Sequence, residues 1–502
     1  MTDRRAPLEL SSDRFREAGH KLVDRIAAHL DALASGPVTP AETPAQVREA
    51  LGTGALPKEG ADAGRLLDEA AELLFAHSLY NGHPRFFGYI TSSAAPIGVL
   101  GDLLAAAVNA NVGAFSLSPM ATEIERQSIR WIAEWLGYPA HADGVLVSGG
   151  NMANFVCFLA ARRAKAPWNI RAEGAAPAGR PKLRAYASSE THTWVQKACD
   201  LFGLGTDALR WIPVDDEFRM DLPALERAIA EDRARGDHPF LVVGTAGSVG
   251  TGAVDPLPAL AELCRREDLW FHADGAYGAL AAPVPGVPDD LRGVALADSV
   301  AVDPHKWFYS PIEAGCALVR HPGSLVDTFS YRPPYYHFDS EEKDPAINFY
   351  ERGPQNTRGF RALKVWLGLR QAGREGYMRS IAEDIRLAKR LYDRARAEPR
   401  LQVFTHGLSI ATFRYVPEGV KPGSPASEEY LNRLNQELLT RVQQSGRAYP
   451  SNHVVRGAFA LRACIVNFRT TEADVDALPK IVVELGDALA RELRPAGTLV
   501  EG

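Results

Sequence analysis

Seven short apolar runs punctuate the middle of the chain, at 144–147, 183–187, 209–214, 240–243, 269–272, 299–302 and 316–319. Helical segments at 152–163, 222–235 and 257–266 fall between several of them. Runs this short and this apolar read as strands, and their alternation with helices predicts an α/β domain built on a mainly parallel, seven-stranded sheet. Ligands of such sheets collect outside the carboxyl ends of the strands. The residues that follow each run are therefore where chemistry is to be sought.

What flanks this middle part has a different texture. Residues 13–34 carry Phe15, Leu22, Ile26, Leu30 and Leu33 at helical spacing behind the capping candidates Ser11 and Ser12, and a linker-like "ASGPVTPAETPAQ" follows. A helix set apart in this way needs an apolar surface elsewhere, such as that of a partner subunit. Beyond an amphipathic stretch at 359–372 and a long helix at 377–397, strand-like 408–415, helical 428–443 and strand-like 459–466 predict a smaller α+β domain. The expected division is an N-terminal helical arm over 1–80, a large domain over 81–375 and a small C-terminal domain over 376–502.

Composition removes several classes of function. A hydrophobic fraction of 46% and a charged fraction of 24% are those of a globular protein, and a net charge of −6 offers no general attraction for nucleic acid or an anionic membrane. The five cysteines are scattered, odd in number and form no CxxC pair, so no disulfide framework is expected. No apolar leader opens the chain and no run of about 18 uncharged apolar residues occurs. The expectation is a cytoplasmic protein with no membrane partner.

Four strand ends then carry candidate residues. Lys306 lies in "DPHKWFYSP", Asp274 in "LWFHADGAYG", Gly150 and Asn151 in "LVSGGNMANF", and His192 in "SSETHTW". Each has a plain structural explanation: a solvated lysine, a helix-capping aspartate, a glycine turn, a satisfied histidine. Together they match the needs of pyridoxal phosphate, which requires a lysine amine for its aldehyde, a carboxylate for its ring nitrogen and an anion site for its phosphate. A glycine-opened helix N-terminus supplies that last element, because its N–H groups are free and no Cβ stands in the way. His272 and Asp274 lack a third ligand at recognisable spacing, so no metal is expected. The glycines of "GTAGSVGTGAVDPLP" look superficially like a dinucleotide loop, yet the following helix starts too late for one, and no P-loop occurs.

The motifs "SGGNMAN", "SSETH", "HADGAY" and "DPHKW", in this order and spacing along the chain, resemble those of the group II pyridoxal-phosphate-dependent decarboxylases, the family of aromatic-L-amino-acid decarboxylase. "HPRFFGY", "SPMATEIE" and "GFRALKVW" agree, and the similarity runs over nearly the whole chain. The resemblance implies a type I aminotransferase-like fold and a homodimer with active sites at the subunit interface. It makes Lys306 the cofactor-bearing lysine and Asp274 the partner of the ring nitrogen, with Ala276 and His192 on opposite faces of the ring. Gly150 and Asn151 fall at the phosphate loop, His305 lies near the phosphate, and Ser248 stands where the family usually has threonine.

By the same resemblance Tyr335, in a lid-like polar stretch, returns a proton to the substrate. Ser92, Thr357 and the segment 113–117 border the substrate. The activity implied is decarboxylation of an L-amino acid, aromatic in the first instance: tryptophan, tyrosine, dopa or phenylalanine. Histidine and glutamate decarboxylases remain alternatives, as do an aldehyde synthase and a carbon–carbon lyase on the same scaffold.

Overall fold

A computed structural model describes residues 7–331 and 346–493 of the chain. A two-residue strand, β1 (Phe86–Phe87), precedes the main sheet and belongs elsewhere. The seven apolar runs become β2 (Asp143–Val147), β3 (Leu183–Ser188), β4 (Leu209–Ile212), β5 (His238–Thr245), β6 (Trp270–Asp274), β7 (Ser299–Val302) and β8 (Gly315–Val319). They stand in the order β2-β8-β7-β6-β5-β3-β4. β4, β3, β5, β6 and β7 pair in parallel, and β8 runs antiparallel to both β7 and β2. Every strand but β8 therefore delivers its carboxyl end to one edge of the sheet.

Burial explains why these runs are so apolar. β6, β7 and β8 are buried along their whole length, because helices cover both faces of the sheet. Local chemistry sets where the helices begin. Gly149, at φ +123°, opens helix Gly150–Lys165 in a conformation that a side chain would strain. Asp221 caps helix Leu222–Ala234 by accepting from the Ala224 N–H, with a proline in the first turn.

Helix Ala362–Ala397 links the two cores and breaks at Gly373, whose φ of 65° and ψ of 174° are not helical. Past that break lie β9 (Leu401–Gly407), β10 (Ile410–Tyr415), β11 (Tyr449–Val455) and β12 (Ala458–Cys464). They form a second sheet in the order β1-β11-β12-β10-β9, antiparallel except for the β1–β11 pair. Helices Pro425–Gln444 and Glu472–Leu493 close it around Phe413, Leu434, Leu461 and Ile481. β1 comes from the segment expected in the large domain, yet it pairs with the small sheet.

At the amino end, Ser11 caps helix Ser12–Ala32, and none of that helix's residues is buried. Lys21 and Arg25 reach Asp68 of helix Ala63–Ala76 at 2.5 and 2.7 Å. The linker-like stretch is docked rather than free. The Val38 N–H donates to the Gly446 carbonyl and its own carbonyl accepts from Tyr80, at 2.8 and 3.0 Å. A capping box at Thr43 then starts a helix, Pro44–Leu51, that the run of Pro, Ala and Thr does not announce.

Candidate active site

Residues just beyond β2, β3, β5, β6 and β7 line one cavity of about 400 Å³. Lys306, Asp274, His192, Gly150, Asn151, Ala276 and His305 all face it, together with Asp303, Trp194 and Thr245. The strand register explains the meeting. Asp274 lies beside Thr245 on one side and Ala301 on the other, so β5, β6 and β7 end nearly level.

Asp274 is a buried carboxylate held in place from two sides. Its Oδ2 accepts from the Trp194 indole at 2.7 Å and its Oδ1 from the Ala276 N–H at 3.3 Å. Two residues earlier on the same strand, His272 turns into a closed network. Its Nε2–H donates to Asn154 Oδ1 at 2.7 Å, and Nδ1 accepts from the Ser299 hydroxyl at 2.9 Å. Ser299 in turn accepts from the Trp270 indole at 2.8 Å. Burial drives the His272 imidazole down to about 4, so the ring is neutral at physiological pH. Among the described residues no group of three or more His, Cys, Asp or Glu side chains is placed to hold a metal ion.

The helix opening fits tightly against the lysine turn. A Cβ on Gly150 would lie 2.6 Å from Asp303 Oδ2 and 2.9 Å from Ala276 Cβ, and one on Gly315 would strike the Gly149 backbone. Only glycine lets the helix N-terminus come this close to the strand ends. Lys306 Nζ is 3.2 Å from Asp303 Oδ2, and His305 Nε2 is 3.7 Å from the same oxygen. His305 Nδ1–H donates to the Ala314 carbonyl at 2.7 Å. Asp303 Oδ1 is buried and has no hydrogen-bond partner among the described residues.

Several sequence candidates lie off the cavity wall. The Ser248 hydroxyl meets Thr251 Oγ1 at 2.8 Å, and its N–H donates to the Ala253 carbonyl at 2.7 Å, so it holds its own loop together. Thr245 lines the cavity instead, its N–H anchored on Asp255 Oδ2 at 2.7 Å. Ser92 donates to the His305 carbonyl at 2.7 Å, bracing the lysine turn. Thr357 is exposed. It neighbours the segment 113–117: the Val112 N–H donates to the Arg358 carbonyl at 2.8 Å, and the Phe115 N–H to Asn348 Oδ1 at 3.1 Å. Arg358 itself is buried against Glu125, which explains one part of the "SPMATEIE" motif. Tyr335 lies outside the described residues.

The glycines at 247–252 serve a different end from nucleotide binding. Side chains at Gly250 and Gly252 would strike the His453 ring and the Gly407 backbone of the small domain, so this loop is an interdomain joint. Sequence reasoning missed Asp303, Trp194 and Thr245. Asp303 and Thr245 are at or next to strand ends, which is the one signal that could have found them. Trp194 is recognisable only through its partner.

The donor set fits pyridoxal phosphate. A lysine amine, a doubly supported carboxylate and a glycine-opened helix N-terminus share one cavity of suitable size. A model of the pyridoxal-dependent decarboxylase conserved domain matches residues 44–416. An aromatic-L-amino-acid decarboxylase from Bacillus atrophaeus is 34% identical over 93% of this chain and 94% of its own. A crystal structure of Oryza sativa TDC with PLP and tryptamine superposes with a TM-score of 0.88 at 28% identity, covering 97% of this chain and all of that one. The structure of Rhodiola rosea 4-hydroxyphenylacetaldehyde synthase gives 0.83 at 27% identity, over 97% of this chain and 100% of that one. With the site and the whole-chain similarity in agreement, this chain belongs to the pyridoxal-dependent decarboxylase family and is a pyridoxal-phosphate-dependent amino-acid decarboxylase.

Proposed function

We propose that the enzyme removes the carboxyl group of an aromatic L-amino acid, releasing the amine and carbon dioxide. The observation that carries this is the convergence of Lys306, Asp274, His192 and the Gly149–Asn151 turn on one cavity. The similarity to proteins named for aromatic substrates supports the choice of amino acid.

The bound cofactor supplies a ring that takes up the electron pair left when carbon dioxide departs. Lys306 would hold the cofactor through its side-chain amine. Asp274, fixed by Trp194 and Ala276, would be the carboxyl that pairs with the ring nitrogen. His192 and Ala276, both on the cavity wall, would lie against the ring. The helix opening at Gly150 and Asn151, with His305 beside it, would hold the phosphate. Orientation of the substrate decides which bond breaks. Tyr335 returns a proton to the substrate carbon.

The working unit is a homodimer in this proposal. Helix Pro96–Val108 leaves Leu100, Leu103, Leu104 and Val108 each at least half exposed, and no residue of the amino-terminal helix is fully buried on its own chain. Thr357 and the segment 113–117 do not line their own chain's cavity. In the dimer they border the partner's substrate. A reducing cytoplasmic setting accords with five cysteines that are all free and buried. Among the described residues no helix is long and apolar enough to cross a membrane.

A panel of amino acids assayed for carbon dioxide, amine, ammonia and hydrogen peroxide tests the assignment. Stoichiometric amine and carbon dioxide from an aromatic substrate is expected. Preference for glutamate or histidine would overturn the substrate class, and ammonia with peroxide would mark an aldehyde synthase instead. In the same assay Tyr335→Phe is expected to cut amine yield at least about tenfold; an unchanged yield would remove Tyr335 from the mechanism.

A further inference from the structure

The turn that carries Lys306 continues into Trp307, Phe308 and Tyr309, all buried and none of them part of the cavity wall. One helix grips all three. The Trp307 indole N–H and the Tyr309 hydroxyl both donate to Asp384 Oδ2, at 3.0 and 2.8 Å. The Phe308 carbonyl accepts from the Tyr377 hydroxyl at 3.0 Å. Asp384 and Tyr377 both lie beyond the Gly373 break in helix Ala362–Ala397, and Leu387 and Leu391 of that same half pack into the small-domain core.

Backbone conformation gives this grip its importance. Tyr309 stands at φ +49°, a region that a bulky residue occupies only when its surroundings impose it. Its ring stacks on Tyr377 at 6.2 Å and meets Phe468 edge-on at 5.3 Å, and its hydroxyl ends on Asp384. On the other side, Trp307 stacks on Tyr277 at 4.7 Å. A lysine whose next three residues are fixed this way has a fixed direction of departure from the turn.

We propose that Asp384 is a positioning residue for Lys306: by holding Trp307 and Tyr309 on one carboxylate oxygen, it fixes the turn from which the lysine reaches the cofactor. The proposal rests on Lys306 being the cofactor-bearing lysine. It assigns a task to a small-domain carboxyl that touches neither cofactor nor substrate.

The same carboxyl responds to pH. Burial pushes it up to about 7, against the pull of hydrogen bonds from Tyr309, Trp307 and the Asn467 backbone. The groups around it are Trp307 and Tyr309 from the lysine turn, the Asn467 N–H beyond β12, Cys464 at the end of β12, and Tyr377 and Glu383 on its own helix. None of these is a cation. Once protonated, Asp384 loses its charge, and the bonds it accepts from Trp307 and Tyr309 lose their charge assistance. The grip on the lysine turn therefore weakens as pH falls through that value.

The test follows cofactor release from the holoenzyme as loss of visible absorption after dilution into cofactor-free buffer, over a unit of pH on either side of that value. At the alkaline end Asp384→Asn should release cofactor about tenfold faster than the wild type, the loss of one hydrogen bond to a charged group. That gap should narrow toward the acid end, where the wild type has lost its own carboxylate. Tyr309→Phe, which deletes one hydroxyl, should move release in the same direction and carries the test if Asp384→Asn does not fold. Variants that release at the wild-type rate across the range overturn the proposal, and so does a lowered melting temperature with an unchanged release profile. Lys306→Ala separates the two assignments: a band that survives it overturns the role of Lys306, whereas a band lost there beside unchanged release in Asp384→Asn overturns the role of Asp384 alone.

Discussion

His272 and Asp274 are two apart on β6, so they share a face of the sheet and meet the same neighbour, Trp194. The indole donates to Asp274 while its ring meets His272 edge-on at 5.6 Å. Burial keeps the histidine neutral behind the cavity wall, and its network needs both ring nitrogens in one tautomer. A pH dependence follows with a definite sign. The unfolded imidazole takes up a proton below about 6.5, whereas the folded one stays neutral down to about 4. Between those values the unfolded chain binds the extra proton, so this contribution to stability is present above the window and is lost as pH falls through it. In His272→Gln that slope should vanish. Denaturant unfolding at a series of pH values should show the difference between wild type and variant changing by up to about 1.4 kcal/mol per pH unit inside the window and staying flat above it. Parallel curves would mean that His272 is not held neutral.

The glycine-opened helix Gly150–Lys165 shows what an element must give up to bring a dipole to a ligand. Its first turn carries no side-chain cap, and its approach to the strand ends leaves no room for a Cβ at Gly150. Gly150→Ala should weaken cofactor binding about fivefold to a hundredfold, the effect of roughly 1–3 kcal/mol of overpacking. Absorbance titration with the cofactor measures this, and unchanged affinity would show that the helix opening is not the phosphate site. The elements easiest to read from sequence are those buried on both faces: β2 to β8 were all visible as apolar runs. β9 and β11 were not, because "LQVFTHG" and "YPSNHVV" are half-exposed and carry polar side chains. β1 is two residues long, too short for any pattern. The break at Gly373 was legible as a gap between two helical stretches. Lys306, Asp274, His192 and Gly150 could be found because strand ends are where such sheets bind. Asp384, far along the chain and on a helix, acquires its place only through tertiary packing, and Ser248 shows the converse, a motif position whose hydroxyl turns into its own loop.

At the level of the molecule, two hydrophobic cores are joined by one broken helix, and the lysine turn packs in the first core against the far half of that helix. The proposed second copy covers the leucine face of helix Pro96–Val108. Leu104→Glu adds a charge at a position that is half exposed in the single chain, so folding should persist. Sedimentation should then report a monomer, with activity lost because Thr357 and its neighbours no longer reach a second cavity; an active monomer would overturn the shared site. All of this converges on one bond. Reduction of the holoenzyme with borohydride, followed by digestion and mass spectrometry, locates the lysine that carries the cofactor. The reduced cofactor is expected on the peptide containing Lys306 and on no other. Finding it on a different lysine, or finding none bound, would contradict the assignment of the site.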